Sequence, residues 1–158
     1  MKIADINDLL LVWGPLSKEG ISQIKEEANL VLIPENRPYL IGLKYNIPLL
    51  KKEGVRFIYA TDNMLGFLFY KNKIKKTLLF YKELKPQGLI GICGSLYIAL
   101  LTKLHQIPIK IYPAEKFISK GLDQDASSLD GKNFILDKDK NNFVVSADDE
   151  LVGWEILR

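Results

Sequence analysis

Cysteine and histidine are almost missing from this chain, which holds one of each, Cys93 and His105, among 158 residues. A single cysteine excludes an internal disulfide framework and a thiolate cluster for zinc, and a single histidine excludes a histidine-based metal site within one chain. No apolar run reaches the length of a membrane-spanning helix, and the opening Met1-Lys2-Ile3-Ala4-Asp5 lacks the basic flank and apolar stretch of a secretory leader. The expectation is a soluble, cytoplasmic protein with no membrane partner, no metal and no cofactor. Charge of one sign is also scarce: 22 basic against 19 acidic side chains leave a formal charge of +3. Much of that surplus falls on Lys71, Lys73, Lys75, Lys76, Lys82 and Lys85. Charge blocks indicate nucleic acid only in an aromatic or groove-fitting context. Phe80 and Tyr81 lie among these lysines but read as part of a core strand. The segment is therefore expected to be a solvated loop and strand edge, and nucleic acid is not an expected partner.

What the chain does have is a regular alternation of short apolar runs with helical segments, the pattern of βαβ units around a mostly parallel sheet in an α/β domain. At this length one domain spanning 1–158 is expected, with a core over 1–117 and an extension over 118–158. Candidate strands are 9–13, 30–33, 55–60, 77–81 and 109–112. Each is rich in Leu, Ile, Val or aromatics without polar alternation, which marks strands buried on both faces. Ser17 caps a helix over 17–28 with Ile21, Ile24 and Ala28 at amphipathic spacing, although Gly20 weakens it. Pro38 opens a second helix running to Gly54, with a kink near Asn46 caused by Pro48. A short third helix follows Asp62, carrying Met64, Leu65, Leu68 and Phe69. A fourth runs from Ser95 to His105.

Beyond Phe117 the sequence turns polar. Phe134-Ile135-Leu136 and Phe143-Val144-Val145 suggest an antiparallel hairpin, followed by a short terminal segment from Leu151 to Leu157. Between the two strands, Asp137, Asp139 and Asn141 alternate like the start of a calcium loop. Asn142 stands where that loop needs glycine and Asp148 where it needs glutamate, so a solvated hairpin loop is expected.

The chemistry collects at strand ends. The run Leu30-Val31-Leu32-Ile33-Pro34 stops on Glu35, Asn36 and Arg37, and the run ending at Ala60 stops on Thr61, Asp62 and Asn63. Ligand groups of open α/β sheets gather beyond the carboxyl ends of parallel strands, so the two ends suggest one shared site.

Read in order, Glu35-Asn36-Arg37-Pro38, Thr61-Asp62-Asn63, Gly94-Ser95 and Ile107-Pro108 followed by Pro113 resemble the C-terminal, Rossmann-like half of a known superfamily. It contains the regulatory subunits of translation initiation factor 2B, methylthioribose-1-phosphate isomerase and archaeal ribose-1,5-bisphosphate isomerase. The resemblance covers roughly residues 9–117. It implies a doubly wound domain whose strand-end loops surround a phosphorylated sugar or nucleotide, usually in a homo- or hetero-oligomer. The residues agree: Arg37 is able to pair bidentately with a phosphate, Asp62 to accept bonds from sugar hydroxyls, and the amides of Gly94 and Ser95 to meet an anion at a helix N-terminus. The expected ligand set is Glu35, Asn36, Arg37, Thr61, Asp62, Asn63, Gly94 and Ser95. The alternative is a buried network of Glu35, Arg37 and Asp62 that only fixes the loops.

Departures from the family pattern bear on catalysis. Where the isomerases carry a catalytic aspartate, this chain reads Leu79-Phe80-Tyr81-Lys82-Glu83. The Asn-Lys pair before the Gly-Thr turn is replaced by Gly91-Ile92, with Cys93 next. Ile41 replaces a glutamine, and Trp13-Gly14-Pro15-Leu16-Ser17 lacks the expected cysteine. Cys93 precedes a helix, whose dipole lowers a thiol pKa, but its apolar neighbours suggest a packed thiol. His105 suits a dipole-complementing role at the same helix's C-terminus, and Trp13 and Trp154 suit packing. No catalytic residue is assigned. The leading expectation is a noncatalytic or catalytically altered homo-oligomeric domain that binds a phosphorylated small molecule or a protein partner. The second is an isomerase-like enzyme using Glu35, Asp62 and Cys93.

Overall fold

The computed structural model describes residues 2–27, 30–115 and 149–158, together with the backbone of 128–129 and 132–133. At its centre is β1 (Leu9–Trp13), buried along its whole length. Side chains alternate across a strand, so Leu9, Leu11 and Trp13 enter one apolar cluster while Leu10 and Val12 enter a second on the opposite face. Helices cover both faces. α1 (Lys18–Glu27) contributes Ile21 and Ile24 to the second cluster, and α2 (Ile47–Lys52) contributes Leu50. α3 (Met64–Tyr70) supplies Leu65, Leu68 and Phe69 to the first, and α4 (Ser95–Leu104) supplies Ile98 and Ala99.

β2 (Val31–Pro34) and then β3 (Phe57–Ala60) extend the sheet on one side of β1, and β4 (Ile74–Lys85) flanks it on the other, all parallel. β4 has two neighbours on its far side. Residues 81–85 fold back through Pro86-Gln87 into the antiparallel β5 (Gly88–Gly91), while residues 77–81 pair in parallel with β6 (Ile109–Pro113). A separate antiparallel pair is formed by β7 (Ser128–Leu129) and β8 (Lys132–Asn133). β9 (Glu150–Gly153) then pairs antiparallel with β5 at the sheet's edge, and α5 (Trp154–Leu157) follows it. This is the α/β, doubly wound, mostly parallel arrangement that the alternating pattern implies. No helix among the described residues is long and apolar enough to cross a membrane.

Local chemistry explains most of the elements. The Ser17 hydroxyl accepts the Gly20 amide at 3.4 Å, capping α1. Gly20 costs helix propensity, but a side chain there would meet Phe80 Cζ at 2.3 Å, so the glycine lets α1 approach the sheet closely. Asn46 lies at the end of a π-helical stretch, Gly42–Asn46, two residues before Pro48 in α2. Proline has no N–H for a preceding carbonyl, and the wider winding accommodates that loss where the kink is expected.

Four expectations need correction. Pro38 does not open the second helix: the Arg37–Pro38 bond is cis and Leu40 has φ of +54°, a value no right-handed helix contains, so winding begins at Ile41. Lys82 to Lys85 is not a loop but the end of β4, exposed along its length where the strand pairs antiparallel with β5. β3 begins at Phe57 rather than Val55 and is only half-buried, because it forms the edge opposite β9. β6 is likewise half-buried. The hairpin expected over 134–136 and 143–145, like the loop between them, lies outside the described residues.

The lysine-rich segment is tied into the fold. Lys73 donates to Asn7 Oδ1 at 3.0 Å, Lys76 pairs with Glu27, Lys82 with Asp149 at 2.6 Å, and Lys85 with Glu83 at 2.5 Å. Lys71 lies over the rings of Phe67 and Tyr70 at 5.6 and 5.5 Å.

Candidate functional site

Where β2 ends, the backbone turns sharply, with Asn36 at φ of +56°. Asparagine tolerates that left-handed conformation better than bulkier residues do. Its side chain reaches back across the sheet, accepting the Gly14 amide at 2.9 Å. Asn46 completes the clamp on the loop after β1, accepting from Leu16 N at 3.0 Å and donating to Gly14 O at 2.9 Å. The loop after β1 is thus fixed to the β2 turn by Asn36 and to the helix that follows by Asn46, both side chains fully buried.

Asp62, just past β3, joins the third loop. Its two oxygens accept the backbone amides of Asn36 and Arg37 at 2.9 and 2.8 Å. Glu35, only 5% exposed, accepts the Arg37 guanidinium through Nε and Nη2, each at 3.3 Å, and the Tyr59 hydroxyl at 3.0 Å. Burial pushes the Asp62 carboxyl above its ordinary range; the two amide bonds and Arg37 pull it down, and the Glu35 charge adds to the rise. The structure therefore brings Glu35, Asn36, Arg37 and Asp62 into one network. Thr61 and Asn63 stand apart from it, bonded to each other at 2.6 Å on the exposed rim.

The second half of the crevice is the start of α4. Gly94, at φ of +88°, precedes the helix, and Ser95 is its fully buried first residue. A carboxylate already sits on this turn. Glu150, the first residue of β9, accepts Gly94 N at 2.9 Å and Leu96 N at 2.8 Å. Unpaired amides at a helix N-terminus attract anions, and here the anion belongs to the chain itself. Cys93 lies between the two halves. Burial raises its thiol pKa, as do the Glu150 carboxylate that accepts its hydrogen and, more weakly, the charge of Asp62. The helix dipole would act in the opposite direction, so the surroundings keep the thiol protonated.

Sequence reasoning missed Glu150, Tyr59 and Asn46. Only an acidic run, Asp148-Asp149-Glu150, marked the first, and nothing in it specified a partner 56 residues away. His105 caps the C-terminal end of α4 and lies 5.6 Å from the Phe69 ring, away from the crevice. Among the described residues no group of three or more His, Cys, Asp or Glu side chains is placed to hold a metal ion.

The sequence profile described as "Initiation factor 2 subunit family" matches residues 18–150. The chain belongs to the initiation factor 2 subunit family. The chain is similar to a putative methylthioribose-1-phosphate isomerase of Methanocaldococcus jannaschii, 33% identical over 82 residues that make up 51% of this chain and 25% of the relative. The methylthioribose-1-phosphate isomerase of Petrotoga mobilis is 30% identical over 82 residues, 51% of this chain and 24% of its own. The matched region is thus about a quarter of each curated relative. Among solved structures, the fold is shared with translation initiation factor eIF-2B, subunit delta, from A. fulgidus at a TM-score of 0.72 and 14% identity, covering 98% of this chain and 52% of that one. It is shared equally with 5-methylthioribose 1-phosphate isomerase from Pyrococcus horikoshii, at 0.75 and 14%, covering 98% and 50%. In this family member, Lys82 and Glu83 of the altered motif occupy the exposed half of β4, and their side chains pair with Asp149 and Lys85.

Proposed function

We propose that this chain is a catalytically altered member of its family that binds a phosphorylated small molecule in the strand-end crevice and works as a homo-oligomer. The observation that carries this reading is the carboxylate held by two backbone amides at the start of α4, because the same pair of donors suits a phosphate oxygen. Arg37 adds the cation of the site, and Asp62 holds its loop in place through the amides of Asn36 and Arg37. The altered catalytic motif supports binding without turnover: Glu83 is drawn to Lys85 on the exposed end of β4. A thermal-shift screen against pentose phosphates, nucleoside monophosphates and inorganic phosphate tests this, since a ligand of the folded state alone raises apparent stability. The expected result is a saturable shift that Arg37→Ala removes, with no product formed. No shift with any of these compounds overturns the ligand and favours a protein partner.

A second reading has its own observation. Cys93 lies within electrostatic reach of Asp62, which places a thiol and a carboxyl in one crevice, and burial raises both their pKa values. Proton transfer between adjacent sugar carbons needs such groups. Turnover of a pentose phosphate that is lost in Asp62→Asn would favour an isomerase-like enzyme over a binding domain.

A further inference from the structure

Glu150 fills the turn that a phosphate would use: its two oxygens accept the amides of Gly94 and Leu96, and the carboxylate also accepts the Cys93 thiol hydrogen. We propose that Glu150 is a resident anion that an entering phosphate group displaces, so that ligand entry and the docking of β9 exclude each other at the start of α4. This rests on the crevice being the ligand site.

Three features carry it. First, the turn has donors that the carboxylate leaves unused. Trp13 is only 2% exposed, its Nε1 has no hydrogen-bond partner among the described residues, and its ring lies against Gly94, where a side chain would meet Cζ2 at 2.2 Å, Cη2 at 3.0 Å and Cε2 at 3.1 Å. The Ser95 hydroxyl, fully buried beside Gly91 at the first position of the helix, also has no partner among the described residues. A phosphomonoester presents three acceptor oxygens where the carboxylate presents two, a third position from which to meet a further donor. Second, the crevice tolerates exchange of an anion better than addition of one. Among the described residues Glu35, Asp62 and Glu150 line it, while Arg37 is paired with Glu35 and Lys82 with Asp149, and a dianion placed beside these carboxylates would be repelled. Third, the displaced element is separable. Among the described residues β9 is an edge strand that pairs with β5 through residues 150–153 and packs against α4, and Val152 is its one fully buried side chain.

Competition of this kind is reciprocal: an anion that expels Glu150 weakens β9, and loss of Glu150 strengthens anion binding. The test is a calorimetric titration of wild type, Glu150→Gln and Glu150→Ala with inorganic phosphate and, separately, ribose 5-phosphate. Amide hydrogen exchange of β9 is followed in the wild type alongside. The expected result is affinity at least about tenfold higher in Glu150→Gln than in wild type. In the wild type, saturating phosphate should speed exchange across β9. Tighter binding of ribose 5-phosphate than of phosphate identifies a sugar ester, and equal binding a bare anion; both uphold the exchange. Equal affinity in wild type and variants, with β9 protection unchanged at saturation, overturns the displacement while leaving the crevice as the ligand site. No binding by any of the proteins overturns both. If the variants do not fold, the wild-type exchange data decide alone: faster β9 exchange at saturation upholds the proposal, and unchanged exchange overturns it.

Discussion

At the scale of single residues, Asp62 does the most to shape the crevice, because one carboxylate organises two backbone amides of a neighbouring loop. Asparagine in its place keeps one acceptor and turns an amide toward the other N–H, leaving a donor without a partner. Asp62→Asn should therefore cost about 1–3 kcal/mol in chemical denaturation. The pH dependence has a definite sign. A carboxyl whose pKa is raised on folding binds more protons in the folded state, so its contribution is fully present below the unfolded value and is lost as pH rises through the folded one. The stability difference between wild type and Asp62→Asn should accordingly be largest in acid and shrink with rising pH. A difference that grows toward neutrality contradicts the assignment. Glu35, Arg37 and Asp62 were legible in the sequence because strand-end polar residues announce themselves after apolar runs. Glu150 was not legible, since a single carboxylate carries no record of the amides it will meet.

At the scale of elements, the β2 end is held by a close helix approach. A side chain on Gly42 would meet the Pro34 carbonyl oxygen at 1.7 Å, and the Gly42 amide donates to Glu35 O at 3.0 Å. Backbone cannot step aside as a flexible side chain does. Gly42→Ala should lose roughly 1–3 kcal/mol despite its better helix propensity, and should shift the amide resonances of residues 35–37. Unchanged stability and spectra would mean that the helix start does not set the loop. Strands β1, β2 and β4 were readable from continuous apolar runs, which only doubly covered strands require. β5 and β9 escaped notice because each is four residues long and bounded by glycine or acid, too short for a period to register. Pro38 misled for a related reason: its preference for the first helical turn is local, whereas the left-handed Leu40 is imposed by the turn that leads into the packed helix.

At the scale of the whole molecule, one flank stays apolar. Phe67 and Tyr70 on α3 and Tyr97, Leu100 and Leu104 on α4 are all exposed, Tyr70 at 71% and Leu104 at 74%. The two helices adjoin, with the Tyr97 hydroxyl 3.4 Å from the side-chain position of Gly66. Contiguous exposed apolar patches mark association sites, and closed twofold dimers are the commonest outcome. Sedimentation should find a dimer that Tyr70→Glu with Leu104→Glu converts to a folded monomer; a wild-type monomer at high concentration removes this proposal. The same fold carries both translation-factor and isomerase relatives, so function has to be read from the crevice. The most direct test of the account is a titration of the labelled protein with ribose 5-phosphate, followed by amide resonances. The account predicts saturable shifts confined to Asn36, Arg37, Gly94, Leu96 and the β9 amides. No shifts, or shifts centred on the α3 and α4 flank, would contradict it.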